Sequence, residues 1–258
     1  MDTVINHALL HILPDAISLF EAAAEDFAQR AIQAVSKKQQ FNVVLSGGET
    51  PQLFYDTLVK NSQTTKIPWQ KIKFFFGDER YVAADDSASN YHSAYVHLFS
   101  KLPVLTENIY PMPTDLKDPS LAALQYEQTL RQVFNSELPI FDLVYLGLGA
   151  DAHTASLMPN SEVVKNYIEV GTSKLVEALW VEKLQMYRLS LTPPALNNSQ
   201  CVCFLVKGED KAPAVKEVLR GSFDPSQFPA QLIRCAGGET IWYLDEKAAR
   251  SLLRETNE

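Results

Sequence analysis

The chain has 258 residues, of which 46% are hydrophobic and 21% charged, the balance of a folded globular protein and not of a disordered one. Its 23 Lys and Arg against 31 Asp and Glu give a net charge of −8, a field that repels nucleic acid and anionic membrane surfaces. An anionic ligand therefore needs a local pocket of converging basic side chains, which the screening of distant charges by salt permits.

In chain order, the first residues lack the basic start and small-residue cleavage site of a secretory signal. Residues 15–38 place Ile17, Phe20, Ala24, Phe27, Ala31 and Val35 at spacings of three and four, the period of an amphipathic helix. Short apolar runs follow at 42–45, 72–76, 141–146, 201–206 and 240–244, each bounded by glycine or charge, as expected of strands covered on both faces. Between them, 89–102, 120–134 (with Leu121, Leu124 and Leu130 apolar), 211–220 (stopped by Gly221) and 246–253 (opened by Asp245) are expected as helices. Within 163–192 the alternation of Tyr187, Leu189 and Leu191 with Arg188 and Ser190 suggests a half-exposed strand; what precedes it reads equally as helix or strand. Alternating strand and helix points to an α/β fold, a doubly wound, mostly parallel sheet flanked by helices, in a single domain over 1–258. No segment approaches the roughly 20 apolar residues of a bilayer span. Cys201 and Cys203 share one face of a strand and leave Cys235 over, which implies a reducing, cytoplasmic setting.

Polar clusters follow the apolar runs directly: SGGETP after Leu45, GDER after Phe76, GLGADAHT after Leu146 and KGEDK after Val206. In open α/β sheets the ligand crevice lies beyond the carboxyl ends of the strands, so the four clusters are expected on one rim. In the first, Ser46, Gly47 and Gly48 lead into Thr50 as an N-cap and Pro51 as the first helical residue, a turn able to present free N–H groups to phosphate, or an ordinary strand-to-helix turn. In the third, His153 stands two residues from Asp151, and a carboxylate beside an imidazole suits general-base chemistry near neutral pH. Gly147, Gly149 and Ala152 also fit a dinucleotide-binding pattern, but their mid-chain place and the Pro159 break fit a catalytic loop better. His7, His11, His92 and His97 lack a metal-type grouping and read as structural. Arg80, Arg188, Lys207 and Lys211 lie near the expected rim, and Asp78 with Glu79 can either orient substrate hydroxyls or pair with Arg80.

Taken in order, SGGETP, GDERYV with a later SNY, GLGADAHTASLMP, YRLSL, KGEDK and IWYLDEKAA resemble the 6-phosphogluconolactonase family over about residues 43–250. This family is similar to amino-sugar phosphate deaminases and shares their Rossmann-like fold of the sugar-phosphate isomerase type. The resemblance implies hydrolysis of 6-phosphoglucono-1,5-lactone in the oxidative pentose phosphate route, with His153 as general base and Asp151 beside it. It further implies that Ser46, Gly47, Gly48, Thr50, Arg188 and Lys211 receive the phosphate, with Asp78, Arg80 and Asn90 near the substrate. Three residues depart from the family pattern: Ala152 where glycine is usual, Glu49 where a small hydroxylated residue is common, and Lys207 where threonine often precedes the glycine. Alanine suits its place only with φ negative, and Glu49 must point away from the phosphate or weaken its binding.

No metal or redox cofactor is needed for such chemistry, because the lactone is an activated ester and the phosphate grip supplies orientation. The expected partner is a small phosphosugar lactone, with no nucleic acid and no membrane, in a monomer or small homo-oligomer. The competing readings are an amino-sugar phosphate deaminase or isomerase and a non-catalytic sugar-phosphate sensor. The first lacks the Phe-Asn-Glu-Pro such deaminases carry after their histidine; the second would bind a phosphosugar without turning it over.

Overall fold

The computed structural model describes residues 1–61 and 66–254. The chain opens with a hairpin of β1 (Asp2–Ile5) and β2 (Ala8–Leu13), turned by Asn6 and His7, both at positive φ. Two consecutive positive φ values make a turn whose twist matches that of the strands it joins. The helix α1 (Ala16–Lys38) follows, capped by the Asp15 carboxylate, which accepts from the Ser18 N–H at 2.8 Å. Its Lys37 and Lys38 sit in the last turn, where cations are favoured. The buried face is Leu19, Phe20, Ala23, Ala24, Phe27, Ala28 and Ala31, so the expected stripe is corrected at Ile17, which is exposed.

Next come β3 (Phe41–Leu45), α2 (Glu49–Lys60), β4 (Ile72–Phe76), the three-residue β5 (Asp78–Arg80) and α3 (Asn90–His97). The helix α4 (Pro119–Phe134) buries Ala122, Ala123, Tyr126 and Leu130, leaving Leu121 and Leu124 exposed, contrary to expectation. Small alanines let the helix sit close to its neighbours, and the leucines fall on the opposite side. Then follow β6 (Leu143–Leu146), α5 (Glu162–Val170), β7 (Val176–Val181), β8 (Met186–Leu191), the short α6 (Pro193–Asn197) and β9 (Cys201–Val206). The chain ends with α7 (Ala212–Arg220), β10 (Glu239–Asp245) and α8 (Glu246–Arg254).

The main sheet has seven strands in the order β1-β2-β10-β9-β6-β3-β4, parallel throughout except for the β1–β2 pair. It is the mostly parallel, helix-flanked sheet expected. Three of its inner strands are buried from end to end: all five residues of β3, all four of β6 and all six of β9. Aromatic rings fill the layers beside it, with Phe75 stacked on Tyr110 at 4.8 Å and Phe204 on Trp242 at 4.0 Å.

From β3 the chain moves outward to β4, whereas from β6 it moves the other way to β9 and β10. Because β3 and β6 are neighbours, the winding reverses between them, and the loops after their carboxyl ends must part there. A second sheet of order β5-β8-β7 is antiparallel throughout. Gly77 alone separates β4 from β5, so this small sheet is placed directly beside the carboxyl rim of the large one. Among the described residues no helix is long and apolar enough to cross a membrane.

Candidate active site

After β3, Ser46 and Gly47 lead to Gly48, whose φ of +100° is in the region that only glycine occupies without strain. That turn starts α2 at Glu49. The expected N-cap at Thr50 is therefore corrected: Gly48 occupies the cap position, no side chain caps the helix, and Thr50 and Pro51 lie inside the first turn. Gly47 is required for a different reason. A Cβ there would lie 1.7 Å from Oδ1 of Asn90, so the absent side chain lets Asn90 pack against the turn.

Asn90 is 1% exposed and its amide donates to the Asp78 carbonyl at 2.8 Å and to the Asp78 carboxylate at 3.2 Å. Glu79 resolves the choice left open for the acidic pair. Its carboxylate accepts from the backbone N–H groups of Arg80, Asn90 and Tyr91 and from the Ser89 hydroxyl, so it holds the start of α3. Burial pushes the Glu79 carboxyl above its ordinary value, and these N–H donors pull against that rise.

Asp78 instead faces the small sheet. Its Oδ2 accepts from the Ser156 hydroxyl at 2.7 Å and lies 3.5 Å from Nη1 of Arg188. Pairing of β5 with β8 sets Arg80 opposite Arg188, a like-charge pair that a sheet disfavours unless an anion joins it. Burial pulls the Arg188 guanidinium below its ordinary value, Asp78 pulls it back up, and Arg80 adds to the fall. The Nε atoms of both arginines are buried without a hydrogen-bond partner, as suits groups reserved for a ligand. The Arg80 Nη1 donates to the Ala88 carbonyl.

After β6 the chain makes a tight loop, closed by Gly149 N–H to His153 carbonyl at 2.8 Å and Ala152 N–H to Gly149 carbonyl at 3.0 Å. Thr154 donates its hydroxyl to the Gly147 carbonyl at 2.8 Å. Within it, Nδ1 of His153 is 2.5 Å from Oδ1 of Asp151. Gly149 makes room for this pair, since a Cβ there would lie 2.1 Å from the His153 Nδ1 and 2.4 Å from the Asp151 carboxylate. Burial raises the Asp151 carboxyl, but the hydrogen bond and charge of His153 outweigh it and hold the group below its ordinary range. Ala152 has a φ of 62°, which corrects the expectation of a negative value. The loop keeps the left-handed turn that glycine would take without strain, and the alanine methyl is buried there.

After β9, Gly208 turns with φ +96° and its N–H donates to the Asp245 carboxylate at 3.0 and 3.1 Å. Asp245 also accepts from Ala248 N–H at 2.7 Å, the helix opening expected of it. Lys211 ends a 3-10 turn, Glu209–Lys211, ahead of α7 and pairs with Asp210 at 3.2 Å. Lys207 pairs with Glu49 at 2.9 Å.

These loops enclose one cleft of about 450 Å³, lined by Ser46, Gly47, Gly48, Thr50, Asp78, Arg80, Asn90, His153, Arg188, Lys207 and Lys211. That volume is in the range of small-ligand sites. Asp151 stands behind His153, outside the lining. Spacing gave no signal for Ser156, which is 1% exposed and joins Asp78 to the His153 loop; only the fold, which brings its hydroxyl within 2.7 Å of the Asp78 carboxylate, reveals it. The other four histidines sit elsewhere: His11 pairs with Asp2 at 2.8 Å, His97 with Asp56 at 3.1 Å, His7 forms the hairpin turn, and His92 lies in α3 outside the cleft lining.

The chain as a whole is similar to known proteins. Residues 14–242 match the family model described as glucosamine-6-phosphate isomerases/6-phosphogluconolactonase. The chain is 37% identical to a 6-phosphogluconolactonase of Synechocystis sp., over 91% of this chain and 94% of the relative. To that of Nostoc sp. it is 34% identical, over 94% and 98%. The crystal structure of 6-phosphogluconolactonase from Thermotoga maritima superposes with a TM-score of 0.77 at 29% identity, covering 92% of this chain and 98% of that one. With a family model matched over residues 14–242 and relatives aligned nearly end to end, this chain belongs to the glucosamine-6-phosphate isomerase/6-phosphogluconolactonase family.

Proposed function

We propose that this protein hydrolyses 6-phosphoglucono-1,5-lactone to 6-phosphogluconate, as a cytoplasmic enzyme of the oxidative pentose phosphate route. The observation that carries the reading is the shared cleft: the imidazole of His153 lines the same 450 Å³ space as Arg80, Arg188, Lys211 and the Ser46–Gly48 turn. An acid–base group and an anion grip in one small pocket suit a substrate with a reacting carbonyl at one end and a phosphate at the other.

Asp151 holds the proton of the imidazole on Nδ1, which leaves the lone pair of Nε2 for substrate chemistry. A water between Nε2 and the lactone carbonyl carbon gives its proton to the imidazole as its oxygen bonds to carbon. The carbonyl oxygen takes the negative charge of the tetrahedral intermediate and is stabilised by N–H donors of the surrounding loops or by a guanidinium. When the carbon–ring oxygen bond breaks, the imidazolium returns the proton to the departing oxygen, so the ring opens to the acid. Asp151 stays ionised throughout and balances the transient imidazolium. General acid–base catalysis of this kind supplies about 10²–10⁴-fold.

The family also includes isomerases, but its lactonase members are the relatives that align at 37% and 34% identity. After His153 this chain reads Thr-Ala-Ser-Leu-Met-Pro, with Met158 rather than an acid at the end of the loop. The test generates the lactone fresh with glucose-6-phosphate dehydrogenase and times its disappearance with and without the protein. Accelerated loss of lactone is expected, with no ammonia released from glucosamine 6-phosphate. Unaccelerated loss, or tight phosphosugar binding without turnover, would overturn the reading.

A further inference from the structure

Two of the three residues that depart from the family pattern meet each other in the fold. Glu49 opens α2 and Lys207 follows the end of β9, 158 residues away, yet Nζ of Lys207 donates to Oε1 of Glu49 at 2.9 Å. Both line the cleft. Their exposures differ: the Lys207 side chain is 24% exposed and that of Glu49 is 77%. The ammonium therefore belongs to the cleft wall, and the carboxylate lies out on its rim.

Their anchoring differs as well. The residue after Lys207 is fixed by the two bonds from Gly208 N–H to the Asp245 carboxylate, which tie it to β10. Glu49 stands in the uncapped first turn of α2 on a long, solvated side chain. Lysine is thus the held partner and glutamate the one that can swing away. An exposed ion pair shifts an equilibrium by about fivefold at most, because both charges remain hydrated. A charge-assisted bond from the same ammonium to a dianionic phosphate, in a cleft already lined by Arg80, Arg188 and Lys211, is worth about tenfold or more. The exchange of carboxylate for phosphate is downhill.

We propose that Lys207 is an additional phosphate-gripping residue that sets specificity for the phosphorylated ligand, and that Glu49 holds it until the phosphate displaces the carboxylate. This rests on reading the cleft as a phosphosugar site. Glu49 then acts as a competitor for the phosphate without blocking it, and its removal strengthens binding.

Calorimetric titration of 6-phosphogluconate, gluconate and inorganic phosphate into the wild type, Glu49→Gln, Lys207→Met and the double variant tests this, with circular dichroism to verify folding. For 6-phosphogluconate and phosphate, Glu49→Gln is expected to bind about two- to fivefold tighter. Lys207→Met is expected to bind about two- to fivefold weaker than the wild type and about tenfold weaker than Glu49→Gln, and the double variant should match Lys207→Met, because the glutamate acts only through the lysine. Gluconate binding should not change across the set. Equal phosphate affinity in all four proteins would leave Glu49–Lys207 an inert rim pair and overturn the inference, whatever the lactone assay gives. The expected pattern with inorganic phosphate but no binding of 6-phosphogluconate would uphold the Lys207 role and overturn the phosphosugar reading. Failure of the wild type to bind any of the three would overturn both.

Discussion

His153 and Asp151 make their case through one contact, the 2.5 Å approach of Nδ1 to the carboxylate. Asparagine at position 151 keeps the shape but can donate to Nδ1, which moves the ring proton to Nε2 and removes the base. Asp151→Asn is therefore expected to lower kcat by about 10²-fold or more with KM little changed, measured in the coupled lactone assay. The pH sign follows from the lowered carboxyl. The Asp151 carboxylate is fully ionised above the ordinary aspartate value of 3.8, and its hold on the His153 ring is lost only as pH falls through the lower folded value. An acid limb of kcat set by Asp151 is accordingly absent from the neutral range. In the proposed reading the cations act at the other end of the substrate. Arg188→Ala and Lys211→Ala are expected to raise KM by about tenfold each while kcat changes less, because each removes a charge-assisted bond to phosphate. Unchanged KM in both would remove them from the phosphate grip.

Loops rather than strands decide whether these residues meet, and the glycines at their bends are where an element-level test bites. Gly149→Ala would put a methyl 2.1 Å from His153 Nδ1. It is expected to lower kcat by about 10-fold or more by parting the His153–Asp151 pair, with the far-UV spectrum retained; normal kcat would show that the pair tolerates displacement. The sequence made the parallel strands legible because β3, β6 and β9 are apolar on both faces, and it made the rim legible because glycine and charge follow each of them at once. It did not reveal the β1–β2 hairpin, whose turn is Asn6–His7 without glycine and whose second strand, Ala8–Leu13, is apolar at most positions on both faces although its burial alternates. It did not reveal β5 either, since three residues, Asp78, Glu79 and Arg80, carry no periodicity and become a strand only against β8. Burial of Arg188 and Ser190 in β8 likewise broke the expected half-exposed alternation, because that face turns toward Asp78 and the His153 loop.

Across the whole molecule, contacts far apart in sequence tie the two sheets and the cleft together. Ser156 reaches Asp78, Glu127 of α4 accepts from Leu175 N–H at 2.7 Å ahead of β7, and Lys207 reaches Glu49. No spacing rule reads such pairs, which is why the Glu49–Lys207 contact was visible in the sequence only as two unrelated departures. With the small sheet tied in this way, a single cooperative unit over the chain is proposed. Tryptophan fluorescence and far-UV dichroism are then expected to trace one coincident urea transition, and two separated midpoints would divide the chain into independently folding parts. The most direct measurement of all is kcat for His153→Ala with lactone generated in place, taken on a variant whose dichroism and thermal midpoint match the wild type. A fall of about 10²-fold or more is expected, and a folded variant with near-normal kcat would contradict the role of this imidazole as the base that activates water.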